Sequence, residues 1–209
     1  DIHSIYRLED DNFVRLDRDI STFAVLLTSN SGSYTKDSRH VYLNDVEILG
    51  ADPYTFSLIT TGLNIGKNYW DTSISYAKDY RNVYYEKNII AGADPKSFNV
   101  FVNGRFRHEY ARDNNHVYLM DKVIPFADPA TFIVFKTQPY EGCSIGYHAK
   151  DKNNAYFETR IIPQVDIDTF VPLLNEYAKD KIYKEDSTFM LSLRYNLALK
   201  GKEIAKQSI

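Results

Sequence analysis

Aspartates at one fixed spacing are the residues of this chain best placed for chemistry. Asp37 and Asp52, Asp79 and Asp94, Asp113 and Asp128, and Asp151 and Asp166 are all separated by the same interval. A row of turn carboxylates could ligate calcium, but calcium loops need several oxygens converging at close spacing. Each turn here offers one Asp and one or two Asn, with no trailing Glu in register. An aspartate accepting hydrogen bonds from its own turn backbone fits the pattern better. His40 and His116 share one repeat position, filled elsewhere by Asn82 and Asn154, which marks a turn hydrogen bond and not a ligand. The chain has no His-x-x-x-His, no Cys-x-x-Cys and no glycine-rich phosphate loop, so neither metal nor cofactor is expected.

Cys143 lies in Glu-Gly-Cys-Ser-Ile-Gly, with His148 five residues on. A Cys–His nucleophile needs a depressed thiol pKa, a base and an oxyanion site. Only a loop is suggested here, and His148 stands where other copies carry Tyr34, Tyr76 and Tyr110, which reads as a strand position. A Cys-dependent hydrolase is therefore the least supported reading, and no catalytic residue is assigned. Lys36, Lys78, Arg112 and Lys150, each just before an aspartate, read as a solvated face of surface pairs worth at most about 1 kcal/mol.

The elements that position these residues are repeated. YTKDSRHVYLNDVEILGADPYTF (34–56) returns as YAKDYRNVYYEKNIIAGADPKSF (76–98), YARDNNHVYLMDKVIPFADPATF (110–132) and HAKDKNNAYFETRIIPQVDIDTF (148–170). Such self-similarity specifies a repeat architecture. In each copy a β-rich triplet, a short polar turn and an apolar pair predict a tight hairpin. Hairpins begin near Ile5, Val41, Val83, Val117, Ala155 and Leu197, giving periods of 34 to 42 residues over one repeat domain, 1–209. Asp-Pro-x-Ser/Thr-Phe then predicts one short helical turn, because Asp caps free N–H groups and Pro suits the first helical position. Its phenylalanine (Phe56, Phe98, Phe132, Phe170) reads as a core plug. The strict alternation of Phe189, Leu191, Leu193, Tyr195, Leu197 and Leu199 predicts strand. The expected fold is all-β, an open curved array of antiparallel hairpins, with a closed propeller-like ring as the alternative.

Repeated residues serve architecture, so binding is sought where the copies differ. The segment 62–75, GLNIGKNYWDTSIS, holds the sole tryptophan, Trp70, between Tyr69 and Asp71, and the loop 136–147 carries Tyr140. Long connections often carry function, and Trp and Tyr dominate interface hot spots. These four residues are the candidate partner-binding set.

Composition limits the partner. The 209 residues include 17 Tyr and 12 Phe, with a net charge of −3 and a pI near 6.0. That balance argues against nucleic acid. A single cysteine excludes an internal disulfide, and no apolar run approaches a membrane span. A leader removed before Asp1 would favour the bacterial envelope or periplasm over the cytoplasm.

The segments YAKDYRNVYY (76–85), YARDNNHVYL (110–119) and HAKDKNNAYF (148–157) resemble the DKNYY repeat family of bacterial proteins. YAKDKIYKED (177–186) keeps the Asp-Lys but not the spacing, so the resemblance covers roughly 34–186. It implies no activity and designates no catalytic residue. Family members look like surface proteins or neighbours of toxin systems, which implies binding or neutralisation. The expectation is a non-enzymatic protein-binding module, in its sharpest form an immunity or antitoxin-like protein. The alternative is a structural repeat of the cell surface.

Overall fold

A computed structural model describes residues 4–29, 32–59, 75–101, 110–135, 148–173, 177–180 and 189–192. These residues form strands and turns, with no helix among them. No described helix is therefore long and apolar enough to cross a membrane. The chain divides into two compact units, Asp1–Asp113 and Asn114–Ile209.

The first unit opens with a hairpin of β1 (Ile5–Glu9) and β2 (Asn12–Leu16). A four-stranded antiparallel sheet follows: β3 (Ala24–Ser29), β4 (Gly32–Lys36), β5 (Val41–Leu43) and β6 (Val46–Glu47), neighbours in chain order. The pattern repeats in β7 (Ser57–Leu58), β8 (Tyr76–Lys78), β9 (Val83–Tyr85) and β10 (Asn88–Ile89). The unit closes with β11 (Asn99–Val100) paired to β12 (Tyr110–Arg112). The second unit holds the hairpin β13 (Val117–Leu119) and β14 (Lys122–Val123). A sheet of β15 (Ile133–Val134), β16 (His148–Lys150), β17 (Ala155–Phe157) and β18 (Arg160–Ile162) comes next. Last come β19 (Val171–Pro172), β20 (Tyr177–Asp180) and β21 (Phe189–Ser192).

Turn chemistry sets each register. Asn44 and Asp45 take φ of 50° and 61°, the left-handed pair that matches the twist of a two-residue hairpin, so Leu43 faces Val46. Glu86, Met120 and Glu158 take the same first turn position at φ of 52°, 57° and 55°. The Asp-Pro turn is closed by backbone bonds: the Phe56 N–H reaches the Asp52 carbonyl at 2.9 Å and the Phe98 N–H the Asp94 carbonyl at 3.0 Å.

Within each unit, plug phenylalanines pack between one sheet and the next. Val41, Ile48 and Phe56 of one repeat form a single buried cluster with Ala77 and Tyr84 of the next. Phe56 sits 6.4 Å from the Tyr34 ring and 5.7 Å from the Tyr84 ring. In the second unit Phe132 meets Tyr156 at 5.5 Å, and Phe170 clusters with Ala155, Ile162 and Ala178. The large aromatic rings combine area burial with tilted ring contacts, which is where most of the packing energy of such a small sheet must lie. In the first unit the Arg18 guanidinium also covers the Tyr42 ring at 3.4 Å, and Arg7 pairs with Asp45 at 2.8 Å.

Candidate functional site

The recurring polar feature is a carboxylate at each seam between repeats. Asp79 shows it fully. Its Oδ1 accepts the N–H groups of Arg81 and Asn82, both at 2.7 Å. Its Oδ2 accepts the Asp52 N–H of the preceding repeat at 3.0 Å and the Tyr84 hydroxyl at 2.7 Å. Asp151 repeats the set with Asn153, Asn154, the Asp128 N–H and the Tyr156 hydroxyl, all between 2.7 and 2.8 Å. Asp37 takes Arg39, His40 and the Asp19 N–H; Asp113 takes the Asp94 N–H, and Asp180 the Asp166 N–H. All five carboxylates are buried. A buried charge is tolerable only when its lone pairs are filled, and here backbone donors fill them.

The first aspartate of each repeat thus accepts the backbone N–H of the second aspartate of the preceding repeat. Asp52, Asp94 and Asp128 cap their own turns, accepting the N–H two residues on and the Thr or Ser hydroxyl three residues on. The Thr55 hydroxyl then accepts the Tyr80 N–H, and Thr131 the Lys152 N–H, each at 3.2 Å. Asp19 is held the same way by Ser21, Thr22 and Ser38, so DISTF (19–23) is a working member of the series without its proline.

Burial pushes Asp79 upward, but the donors from Asp52, Tyr84, Asn82 and Arg81 outweigh it, and its carboxyl lies below the usual carboxylate range. Asp37 is lowered through the same balance of burial against N–H donors. The hydroxyls of Ser21, Ser38 and Thr22 hold Asp19 far below its ordinary value. Burial raises Tyr84 and Tyr156, and the adjoining carboxylates add to it. Such groups are locked in one protonation state near neutrality, which suits structure and not proton transfer.

The lysine before each aspartate is not simply solvated. Lys36 Nζ donates to the Pro53 carbonyl at 2.7 Å, Lys78 to Pro95 at 2.9 Å and Lys150 to Ile167 at 2.8 Å. Each ties its strand to the turn that ends its own repeat. The sequence reading overlooked this because the partner is a carbonyl, which has no sequence signature.

The DKNYY family model matches residues 76–190, more than half of the chain. The chain belongs to the DKNYY family. Neither the curated proteins nor the solved structures offer a match. The DKNYY geometry also runs upstream of the matched segment, since Asp37, Lys36 and Asp52 make the same bonds to the backbone as Asp79, Lys78 and Asp94, although Asp37 lacks the tyrosine hydroxyl that Asp79 has. It runs through the irregular segment too. Tyr177–Asp180 is a strand, its Asp180 accepts the Asp166 N–H, and the connection to Phe189–Ser192 is longer than in other repeats. Sequence reasoning missed Asp180; the tetrad Tyr-Ala-Lys-Asp, shared with 76–79, was the available signal.

The remaining candidates part company. Phe56, Phe98, Phe132 and Phe170 are buried. His148 is buried between Phe157 and Phe170, with ring centroids at 5.0 and 6.2 Å. His40 lies 3.9 Å from Glu47, and His116 lies 3.4 Å from the Tyr118 hydroxyl. Tyr69, Trp70, Asp71, Tyr140, Cys143 and the hairpin near Leu197 lie outside the described residues. Exposed apolar side chains on the DKNYY repeats include Leu49, Tyr54, Tyr80 and Phe126, positions at which the copies differ.

Proposed function

We propose that the chain is a non-enzymatic protein-binding repeat module, in its sharpest form an immunity or antitoxin-like protein that covers a toxin's cleft. The observation that carries this reading is the fate of the repeated carboxylates. Asp79 and Asp151 each spend both oxygens on four donors, three of them backbone N–H groups. Groups so engaged hold the scaffold, and what distinguishes one repeat from another is its exposed aromatic and aliphatic side chains. Tyr69, Trp70, Asp71 and Tyr140 form the proposed contact set, on connections that only some repeats possess. The unequal connections favour an open curved array over a closed ring. The bacterial envelope or periplasm is the proposed compartment.

Capture of partners from lysate with the tagged full chain, followed by calorimetry, tests the reading. Tyr69→Ala with Trp70→Ala should weaken a genuine partner by at least about 2 kcal/mol. Unchanged affinity removes the contact set. Recovery of no protein, together with a thiol at Cys143 that labels as a thiolate at neutral pH, would move the reading to the Cys-dependent hydrolase.

A further inference from the structure

The seam turns of the first unit run together along one rim. Lys36 Nζ ties the strand leading into the turn 37–40 to the Pro53 carbonyl at 2.7 Å. The turn 52–55 meets the turn 79–82 of the next repeat twice, through the Asp52 N–H on Asp79 and the Tyr80 N–H on Thr55. Lys78 Nζ then carries the rim on to the Pro95 carbonyl at 2.9 Å. The order along the rim is therefore Arg39, Tyr54, Tyr80 with Arg81, and Lys96.

All five side chains are exposed, Tyr54 by 80% and Tyr80 by 59%. The carboxylates of the same rim face inward. Asp37 and Asp79 are buried on backbone N–H groups, and Asp52 and Asp94 cap their own turns. Among the described residues no carboxylate forms an ion pair with Arg39, Arg81 or Lys96. The Arg81 guanidinium lies 4.8 Å from the centre of the Tyr80 ring. Stacked there, it is weakly hydrated and its N–H fork stays open to a carboxylate. The second unit does not repeat this arrangement. Ala130, Lys152 and Asn153 stand at the positions of Tyr54, Tyr80 and Arg81, and Asp128 holds Lys152 at 2.6 Å. The rim is thus a property of particular repeats and not of the scaffold.

We propose that this rim is a docking site for an acidic segment of a protein partner, one that sets carboxylates on either side of an apolar side chain. Arg39, Arg81 and Lys96 take the carboxylates, and the two tyrosines between the arginines take the apolar group. Tyrosine and arginine are the residue types that concentrate binding energy at protein interfaces. A nucleic acid carries its charge well beyond so short a rim and would meet a chain of net charge −3. The proposal rests on the reading of the chain as a protein-binding module and adds the chemistry of the partner's surface.

The test is NMR titration of the isotope-labelled full chain with four probes. These are the capped peptide Asp-Glu-Leu-Glu-Asp-Leu-Glu, its counterpart with Asn and Gln in place of the acids, heparin and a thymidine oligonucleotide. The acidic peptide should shift 38–40, 53–55, 80–82 and 95–97 but not 129–131 or 152–154, and should bind more weakly as salt is raised. The neutral peptide should bind at least about tenfold more weakly. Arg39→Gln with Arg81→Gln should lower affinity for the acidic peptide at least about tenfold with thermal unfolding unchanged, since both side chains are exposed and hold no ion pair. Arg81→Lys, which keeps the charge and loses the fork, should lower it about threefold. Tyr54→Ala with Tyr80→Ala should lower it about tenfold. Absence of shifts on the rim, equal binding of the neutral peptide, or undiminished binding by the double glutamine variant overturns the proposal. So does binding that the double tyrosine variant leaves unchanged while heparin or the oligonucleotide shifts the same residues, which would assign the rim to a bare polyanion. A captured partner that binds undiminished to the Arg39→Gln, Arg81→Gln chain would remove this rim and leave the module reading standing.

Discussion

Replacing Asp79 is the sharpest probe of how the repeats hold together. Asp79→Ala removes the acceptor for three backbone N–H groups and the Tyr84 hydroxyl, in a site that is 4% exposed. Bonds to a charged group contribute about 1.5–3 kcal/mol each, but four bonds to one carboxylate are not independent. Burial of the orphaned donors sets the loss nearer the figure for a broken buried network, about 3–5 kcal/mol. Asp79→Asn keeps an oxygen for Arg81 and Asn82 but turns an NH2 toward the Asp52 N–H, and should cost about 2–3 kcal/mol. Tyr84→Phe should cost about 1 kcal/mol alone and much less in the Asp79→Ala background. Urea unfolding of the four proteins completes the cycle. The carboxyl is depressed in the folded chain, so its contribution is fully present above the unfolded value, near pH 4, and disappears as pH falls through the folded value. Asp79→Asn should therefore flatten the acid limb of the stability profile. A cost for Asp79→Ala below about 1 kcal/mol, or additive losses with Tyr84→Phe, would refute the reasoning.

Two further predictions concern positions where one repeat departs from its siblings. Phe126 adopts φ of 62° where Gly50 and Gly92 take 78° and 77°, so Phe126→Gly should stabilise the chain by about 0.5–1 kcal/mol in thermal unfolding, and a loss would count against the strain argument. Thr35 is buried with its hydroxyl unpartnered at the site where other repeats place Ala77, Ala111 and Ala149, so Thr35→Ala should raise stability by about 1 kcal/mol in urea.

The all-β repeat architecture was legible because the hairpin signal is local. Paired triplets, a two-residue turn and Asp-Pro are all short-range patterns, and Val41, Val83, Val117 and Ala155 do begin strands. The seam was not legible, although both of its residues were. Fixed spacing singled out Asp52 and Asp79, yet nothing in the sequence says that the N–H of one meets the carboxylate of the other 27 residues away. Lys78 donating to the Pro95 carbonyl escaped for the same reason, since a backbone acceptor has no residue type. Asp180 escaped because the longer connection before Phe189 breaks the phrase while leaving the bond intact.

The seam joins a turn to the next carboxylate, and it carries no mark of which two repeats it joins. Asp19 to Asp37, Asp52 to Asp79 and Asp128 to Asp151 are chemically the same joint at chain separations of 18, 27 and 23 residues. Connecting segments are thereby released from any duty to specify assembly and can diverge in length and composition. Lineages can lengthen or shorten the array by whole periods and vary the intervening segments, while a one-residue slip between a tyrosine and its aspartate would break the joint at once.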